Sequence, residues 1–307
     1  MSNKEEFPDD EIDQLFKGEV HHVSVSKLAD QFWCEMQLHL RLEHGIIPTE
    51  EMIEGSNIHR SLEEELGPVI EVEVSTLEDS IITYLLQIYT KLQTLLILNV
   101  TRELPVIGKI SQIPCLGIID QLEIITTSDG EKKLVISDYK TRKSKRAPSY
   151  EQKRRNRVQL QVYWYLLNKM RNGDFNEEMF REYFNMPENI SPSEELLAQL
   201  PVEHKEILEK FPADKLLSEV FELLHNLPEQ SYELRAIYLH QEDRQEVCKD
   251  NSLFHQESFE VDMEWAIGYW KGERTPNSCS QQWMCNFCQF TDNCSFFLRR
   301  YLNEDKK

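Results

Sequence analysis

The sequence predicts an α/β fold built as one domain, with a central strand cluster flanked by helices. Three observations carry this. Apolar residues recur at helical spacing before residue 99 and again after residue 150. Between them, Asn99–Ile113, Cys115–Thr127 and Lys132–Thr141 are rich in Ile, Val and Thr, and Ser128-Asp129-Gly130 forms a hairpin turn between the last two. At 307 residues the chain is long enough to bury one substantial core around that cluster.

Taken in order, residues 1–20 read as a solvated acidic arm. Met1–Asp13 holds six acids and one Lys, the opposite of an Arg-rich presequence, and no apolar signal core follows. The expectation is an intracellular protein, in the nucleus or cytoplasm rather than the mitochondrion. Val23–Gly45 reads as a helix capped by Ser24 or Ser26, and Thr49–Leu66 as a second, stopped by Gly67-Pro68. Val69–Val74 reads as a short strand. Leu77–Leu98 is a long helix with Ile81, Leu85, Ile88, Leu92 and Leu95 on one stripe.

Helical character returns over Glu151–Met170. Asn172–His204 is polar and interrupted by Pro187, Pro192 and Pro201, so residues 171–230 read as a helical and irregular insertion, with further helix over Lys205–Leu227. Tyr232–Gln241 is another strand and Phe259–Lys271 a closing helix. A Cys-rich tail over residues 279–294 completes the domain (21–294), and residues 295–307 read as a polar extension.

Composition narrows the function. Hydrophobic residues make up 40% of the chain and there are five Trp, which excludes a wholly disordered acidic chain. The longest apolar runs, such as Leu95–Leu98, fall far short of the ~20 residues a membrane span needs, so no membrane domain is expected. The net charge of −20 first argues against nucleic acid, whose binders are usually basic. That charge is unevenly spread. Lys140–Arg157 holds nine Lys or Arg and one acid, with Tyr150 inside it and Tyr163, Trp164 and Tyr165 just after. Basic residues tracking phosphates beside aromatic platforms suit a single strand, and Arg142, Lys143, Lys145, Arg146, Lys153, Arg154, Arg155 and Arg157 are the candidate contacts.

Two clusters carry chemistry. Asp120 ends Gly117-Ile118-Ile119-Asp120, and Asp138-Tyr139-Lys140 follows eighteen residues later across the hairpin. Alone, either acid could be a surface charge at a strand edge. Placed together at the ends of two buried strands they would be costly unless paired or metal-bound. Two carboxylates and a Lys suit a hard cation such as Mg²⁺ or Mn²⁺. His59, Glu103, and the helical i,i+4 pair Gln159 and Tyr163 are further candidates. The second cluster is Cys285-x2-Cys288-x5-Cys294, a metal signal in a reducing compartment. Spacing alone makes Cys279 the fourth ligand of a zinc knuckle.

The order Gly55-x-x-x-His59, Gly117–Asp120, Asp138–Thr141, Gln159-x-x-x-Tyr163 resembles the RecB-like branch of the PD-(D/E)xK nucleases. One early Cys and three late ones is similar to the iron–sulfur members of that branch, and the whole arrangement over residues 34–294 most resembles the exonuclease V (defects-in-morphology) family. The resemblance implies a RecB-like core with a mixed central sheet, and a [4Fe–4S] cluster on Cys34, Cys285, Cys288 and Cys294 joining the two ends of the domain. Cys115, Cys248 and Cys279 would then be structural. It further implies Mg²⁺ on Asp120 and Asp138, assistance from His59, a catalytic Lys140, and support from Gln159 and Tyr163. The implied activity is single-strand-specific DNA exonuclease action, mainly 5′ to 3′ on a threaded end, in DNA repair, by a monomer working with single-strand-binding protein such as replication protein A. Ile119 stands where the superfamily name has Pro, and Asp138 where Glu is commoner. Neighbouring readings are an endonucleolytic or CRISPR-adaptation-type nuclease, or a non-catalytic iron–sulfur or zinc scaffold.

Overall fold

A six-stranded mixed sheet organises the chain in the computed structural model, which describes residues 22–304; the acidic arm therefore lies outside the described residues. The elements run β1 (Val23–Ser24), α1 (Val25–His44), α2 (Glu50–Glu64), α3 (Leu77–Leu98), β2 (Val100–Ile110), β3 (Ile113–Thr126), β4 (Lys132–Arg142) and α4 (Tyr150–Asn172). Then come α5 (Glu177–Phe184), α6 (Glu194–Gln199), α7 (Val202–Lys210), α8 (Ala213–His225), β5 (Gln230–His240), β6 (Glu246–Leu253) and α9 (Gln256–Trp270). Two 3₁₀ turns, Gln282–Phe287 and Thr291–Asn293, lead into α10 (Ser295–Glu304).

The spatial order is β1-β3-β4-β5-β6, with β2 on the other side of β3. β3 pairs antiparallel with β2 and β4, while β1 pairs parallel with the start of β3. β4 and β5 are parallel and β6 closes the far edge antiparallel. Pro105 is tolerated because β2 is an edge strand paired only with β3.

Local chemistry sets the ends of the helices. Ser24, Thr49, Thr76 and Ser149 each accept a backbone N–H from the first turn of α1, α2, α3 and α4. Ser149 and Gln152 complete a reciprocal capping box on α4, and Gly173, at φ +78°, ends it. α3 has the length and apolarity of a membrane-crossing helix, but twelve of its residues from Asp79 to Leu95 are buried in the core. It packs against β2 and α8, and α4 packs against β2, β5 and α1. On β5, Ala236 and Tyr238 enter this main core. Ile237 and Leu239, pointing to the opposite face by the two-residue alternation, form a small second core with Ile58 of α2.

Several sequence expectations are corrected. Val23–Ser24 is a short strand, so the first helix starts at Val25. Val69–Val74 is no strand. There the Gln199 side-chain amide brackets Glu73, accepting its N–H at 2.7 Å and donating to its carbonyl at 3.0 Å, as a strand partner would. Residues 172–204 are more regular than their prolines suggest. Pro201 sits at the N-cap of α7, while Pro187 and Pro192 fall in connectors. Strand β6 was not anticipated, because its sequence Glu-Val-Cys-Lys-Asp-Asn-Ser-Leu is largely polar and only its ladder with β5 holds it. Residues 295–304 are helical rather than a plain polar extension.

Candidate functional site

The β3–β4 ladder runs from Thr126–Lys132 to Gln121–Ser137 and then stops. Asp120 and Asp138 are the first residues past this fork. They are not at strand ends, as the sequence suggested, because both strands continue in other pairings: β3 with β2 and β4 with β5. Splitting the ladder leaves the Tyr139 N–H without its cross-strand acceptor, and Asp120 Oδ2 accepts it at 2.6 Å. Asp138 is wholly buried. Lys140 Nζ stands 3.0 Å from both of its carboxylate oxygens but is aligned as a donor only to Oδ1, so Oδ2 makes no hydrogen bond.

α2 delivers His59 to the fork. Gly55, one turn earlier, faces β4, where an added Cβ would stand 3.1 Å from Thr141 Oγ1. His59 Nδ1 lies 3.6 Å from Glu103 Oε1 and 3.7 Å from Asp120 Oδ2. Glu103 sits in register opposite Asp120, between the Arg102–Gln121 and Leu104–Ile119 pairs, yet its φ is +52° inside a strand. A left-handed non-glycine residue there stores about 1–3 kcal/mol of strain, held by the ladder on either side. His59, Glu103 and Asp120 place one nitrogen and two carboxylate oxygens within 4.8 Å of one another.

The electrostatics match a cation site. Burial pushes Asp138 up to about 7, and Asp120 adds to it against the pull of Lys140 and His59. Asp120 is raised too, first by burial. Burial works against a charged His59, but the Asp120 and Glu103 carboxylates outweigh it and bring the imidazole to about 9. Crowded acids, an orphaned carboxylate oxygen and a mixed N/O donor set fit a hard divalent cation well. Periodicity could not have singled out Glu103, since its signal is a backbone angle.

Gln159 and Tyr163 are buried on α4, where Gln159 Nε2 donates to Tyr163 Oη at 3.0 Å. Tyr163 also explains Gly117. A Cβ at that position would lie 2.7 Å from Tyr163 Cε1 and 2.5 Å from Val25 Cγ2, so only glycine lets β3 pass between α4 and α1.

The basic stretch is braced by acids rather than open. Lys143 pairs with Glu51 at 2.6 Å, Lys145 with Asp243 at 2.7 Å and Arg155 with Asp30 at 2.6 Å. Arg157 chelates buried Asp250 at 2.7 and 2.8 Å, Lys153 approaches the same carboxylate at 3.4 Å, and Arg154 lies 3.6 Å from Asp262. Arg142 donates to Gln152; it and Arg146 alone of the eight lack a carboxylate partner among the described residues.

Five cysteines meet beside the middle of α1. Cys34, Cys279, Cys285, Cys288 and Cys294 line one cavity with Trp33, Met284 and Phe297. Cys34 breaks the helix, with φ −160° and ψ 107°. Burial raises the thiols of Cys34 and Cys288. Glu35 joins the two ends of the chain beside the cavity. It is buried, receives both Arg274 guanidinium nitrogens at 2.6 and 2.5 Å, and accepts the Asn277 N–H at 2.9 Å. Arg274 also stacks over Trp265 at 4.3 Å. No sequence spacing indicated this clamp. All seven cysteines are reduced; Cys115 is buried in the main core, its thiol pushed up to about 12, and Cys248 lies on β6.

Comparison with known proteins gives three findings. The family model "Exonuclease V - a 5' deoxyribonuclease" matches residues 13–132, 124–221 and 213–297. Exonuclease V of Danio rerio is 26% identical over 296 residues, covering 93% of this chain and 73% of that protein. Among solved structures, the crystal structure of SSO0001 covers 94% of this chain and 95% of its own, at 14% identity and a TM-score of 0.45.

Proposed function

The chain belongs to the Exonuclease V family, and from that premise we propose that it is a single-strand-specific DNA exonuclease acting mainly 5′ to 3′ on a threaded end. The family supports a hydrolase acting on DNA. The observation that carries the finer reading is the convergence of His59, Glu103 and Asp120 beside the buried Asp138–Lys140 pair at the β3–β4 fork. We read this as a RecB-like PD-(D/E)xK core.

Asp120 and Asp138, with His59 and Glu103 beside Asp120, would hold Mg²⁺ or Mn²⁺, which when bound would supply Lewis acidity at the fork. Asp138 keeps the Lys140 ammonium at the fork, where it can neutralise charge building on a phosphate. Asp120 also fixes the Tyr139 backbone, so the strand carrying Asp138 and Lys140 cannot drift from the strand carrying Asp120. Gln159 and Tyr163 support the site from beneath by seating Gly117.

Cys34, Cys285, Cys288 and Cys294 carry a [4Fe–4S] cluster in this reading. Among the described residues, no three cysteine sulfurs lie within 4.8 Å of one another. By the same reading the protein works as a monomer in DNA repair, with a single-strand-binding partner, in the nucleus or cytoplasm.

The test is digestion of 5′-labelled linear and internally labelled circular single strands with Mg²⁺, alongside iron quantitation of anaerobically purified protein. Linear DNA should be degraded and circles spared. Cleaved circles would replace the exonuclease by an endonuclease, and full activity in Asp120→Asn would remove the site. One zinc without iron would overturn the cluster.

A further inference from the structure

The cysteine pocket holds one thiol more than a four-thiolate cluster uses. Cys279 Sγ lies 3.5 Å from Cys285 Sγ. Thiolates on different irons of a cubane stand much farther apart than this, so the two cannot both serve as ligands while holding that contact. Cys279 is buried, six residues before Cys285, and the intervening segment turns through the start of a 3₁₀ helix rather than an extended strand. The backbone therefore already brings the two sulfurs together, and closing the remaining gap needs only side-chain rotation and a small shift.

We propose that Cys279 and Cys285 are a reversible disulfide site that protects the ligand thiol whenever the pocket is empty of metal. This rests on the cluster reading for its purpose but not for its chemistry. The oxidant class is a peroxide. The Cys285 thiolate attacks one peroxide oxygen; the S–O bond forms, the O–O bond breaks and the departing hydroxide leaves as water after taking a proton. The Cys285 sulfenic acid is then attacked by the Cys279 thiolate, so that an S–S bond forms and the S–O bond breaks, releasing a second water. Two thiols and one hydrogen peroxide thus give one disulfide and two waters. A dithiol reductant reverses the step and returns Cys285 to its ligand role. Without Cys279, a sulfenic acid at Cys285 is exposed to further oxidation to the irreversible sulfinic acid.

The experiment uses the 307-residue protein, stripped of metal under argon, treated with a several-fold excess of hydrogen peroxide, alkylated and cut with chymotrypsin. Cleavage after Trp283 and Phe287 puts Cys279, Cys285 and Cys288 on separate peptides. The expected cross-link joins the peptide ending at Trp283 to Met284–Phe287. A dominant Cys285–Cys288 cross-link, or no cross-link to Cys279, overturns the proposal. After reduction and reconstitution with iron and sulfide, wild-type protein should regain its iron content. Cys279→Ser protein should regain several-fold less and show sulfinic acid at Cys285 by mass. Equal recovery in the two proteins removes the protective role. If untreated protein never carries iron, the cluster reading fails while the cross-link map still decides the disulfide.

Discussion

Replacing Asp138 with Asn should abolish cleavage and stabilise the metal-free protein. In the folded chain the carboxyl is fully buried and titrates near 7, against an ordinary value of 3.8. A raised pKa means that the folded state holds the proton more tightly than the unfolded chain does. Its contribution is thus favourable below pH 3.8 and is lost as pH climbs through 7. At 1.36 kcal/mol per pKa unit, the rise from 3.8 to about 7 means that a charged Asp138 costs the metal-free fold on the order of 4 kcal/mol above pH 7. Asn mimics the neutral acid and escapes that cost. Urea unfolding in chelator should therefore show Asp138→Asn and wild type nearly equal only near pH 3, below the unfolded value. The variant should pull ahead through pH 6 to a plateau by pH 8. Millimolar Mg²⁺ should raise the stability of wild type and leave the variant unmoved. A variant less stable at pH 8, or a difference that ignores pH, refutes the assignment of a strained, ionised carboxylate waiting for a cation.

Three further outcomes follow from the geometry. Gly117→Ala forces a methyl within 2.5 Å of Val25 and 2.7 Å of Tyr163, so it should cost about 1–3 kcal/mol by overpacking and lower activity with it; an unchanged melting temperature would count against the close passage. Arg157→Ala leaves buried Asp250 with only the more distant Lys153 and should destabilise by about 2–4 kcal/mol, read by thermal unfolding. Arg146→Glu, by contrast, should leave stability unaltered while weakening single-strand binding and lowering its salt slope by about one, read by anisotropy over a salt series; an unaltered slope takes that residue off the DNA path.

What the sequence showed plainly was whatever repeats or alternates. The stripe of α3, the Ile- and Val-rich β3 and β4, and the turn at Gly130 (φ +86°) all appear in the structure within a few residues of their expected bounds. The site was legible where motif residues sit in local context: His59, Asp120, Asp138 and Lys140 do converge. What escaped depends on the third dimension. Glu103 was a candidate from its place on the strand before Asp120, but the left-handed backbone angle at that position is something no side-chain pattern reveals. Strand β6 is held by main-chain hydrogen bonds that any side chain can make. The Glu35–Arg274 clamp spans 239 residues of sequence. The basic run illustrates the same limit from the other side. Its charges are obvious in the sequence, but the acids that pair with them come from α1, α2, β6, α9 and the β5–β6 turn, so any phosphate backbone following this stretch would have to displace partners rather than enter an open cationic lane.

The cavity shared by Cys34 and the four tail cysteines also sets a schedule. One wall of it belongs to α1 and the other to the segment between α9 and α10, and Glu35 has no Arg274 to grip until the ribosome has added 239 more residues. The intervening stretch of roughly 250 residues takes on the order of ten to fifty seconds to make at about 5–20 residues per second. Through that interval Cys34 has none of the tail thiols beside it. A metal group held by both walls would therefore be inserted only after the tail has been made.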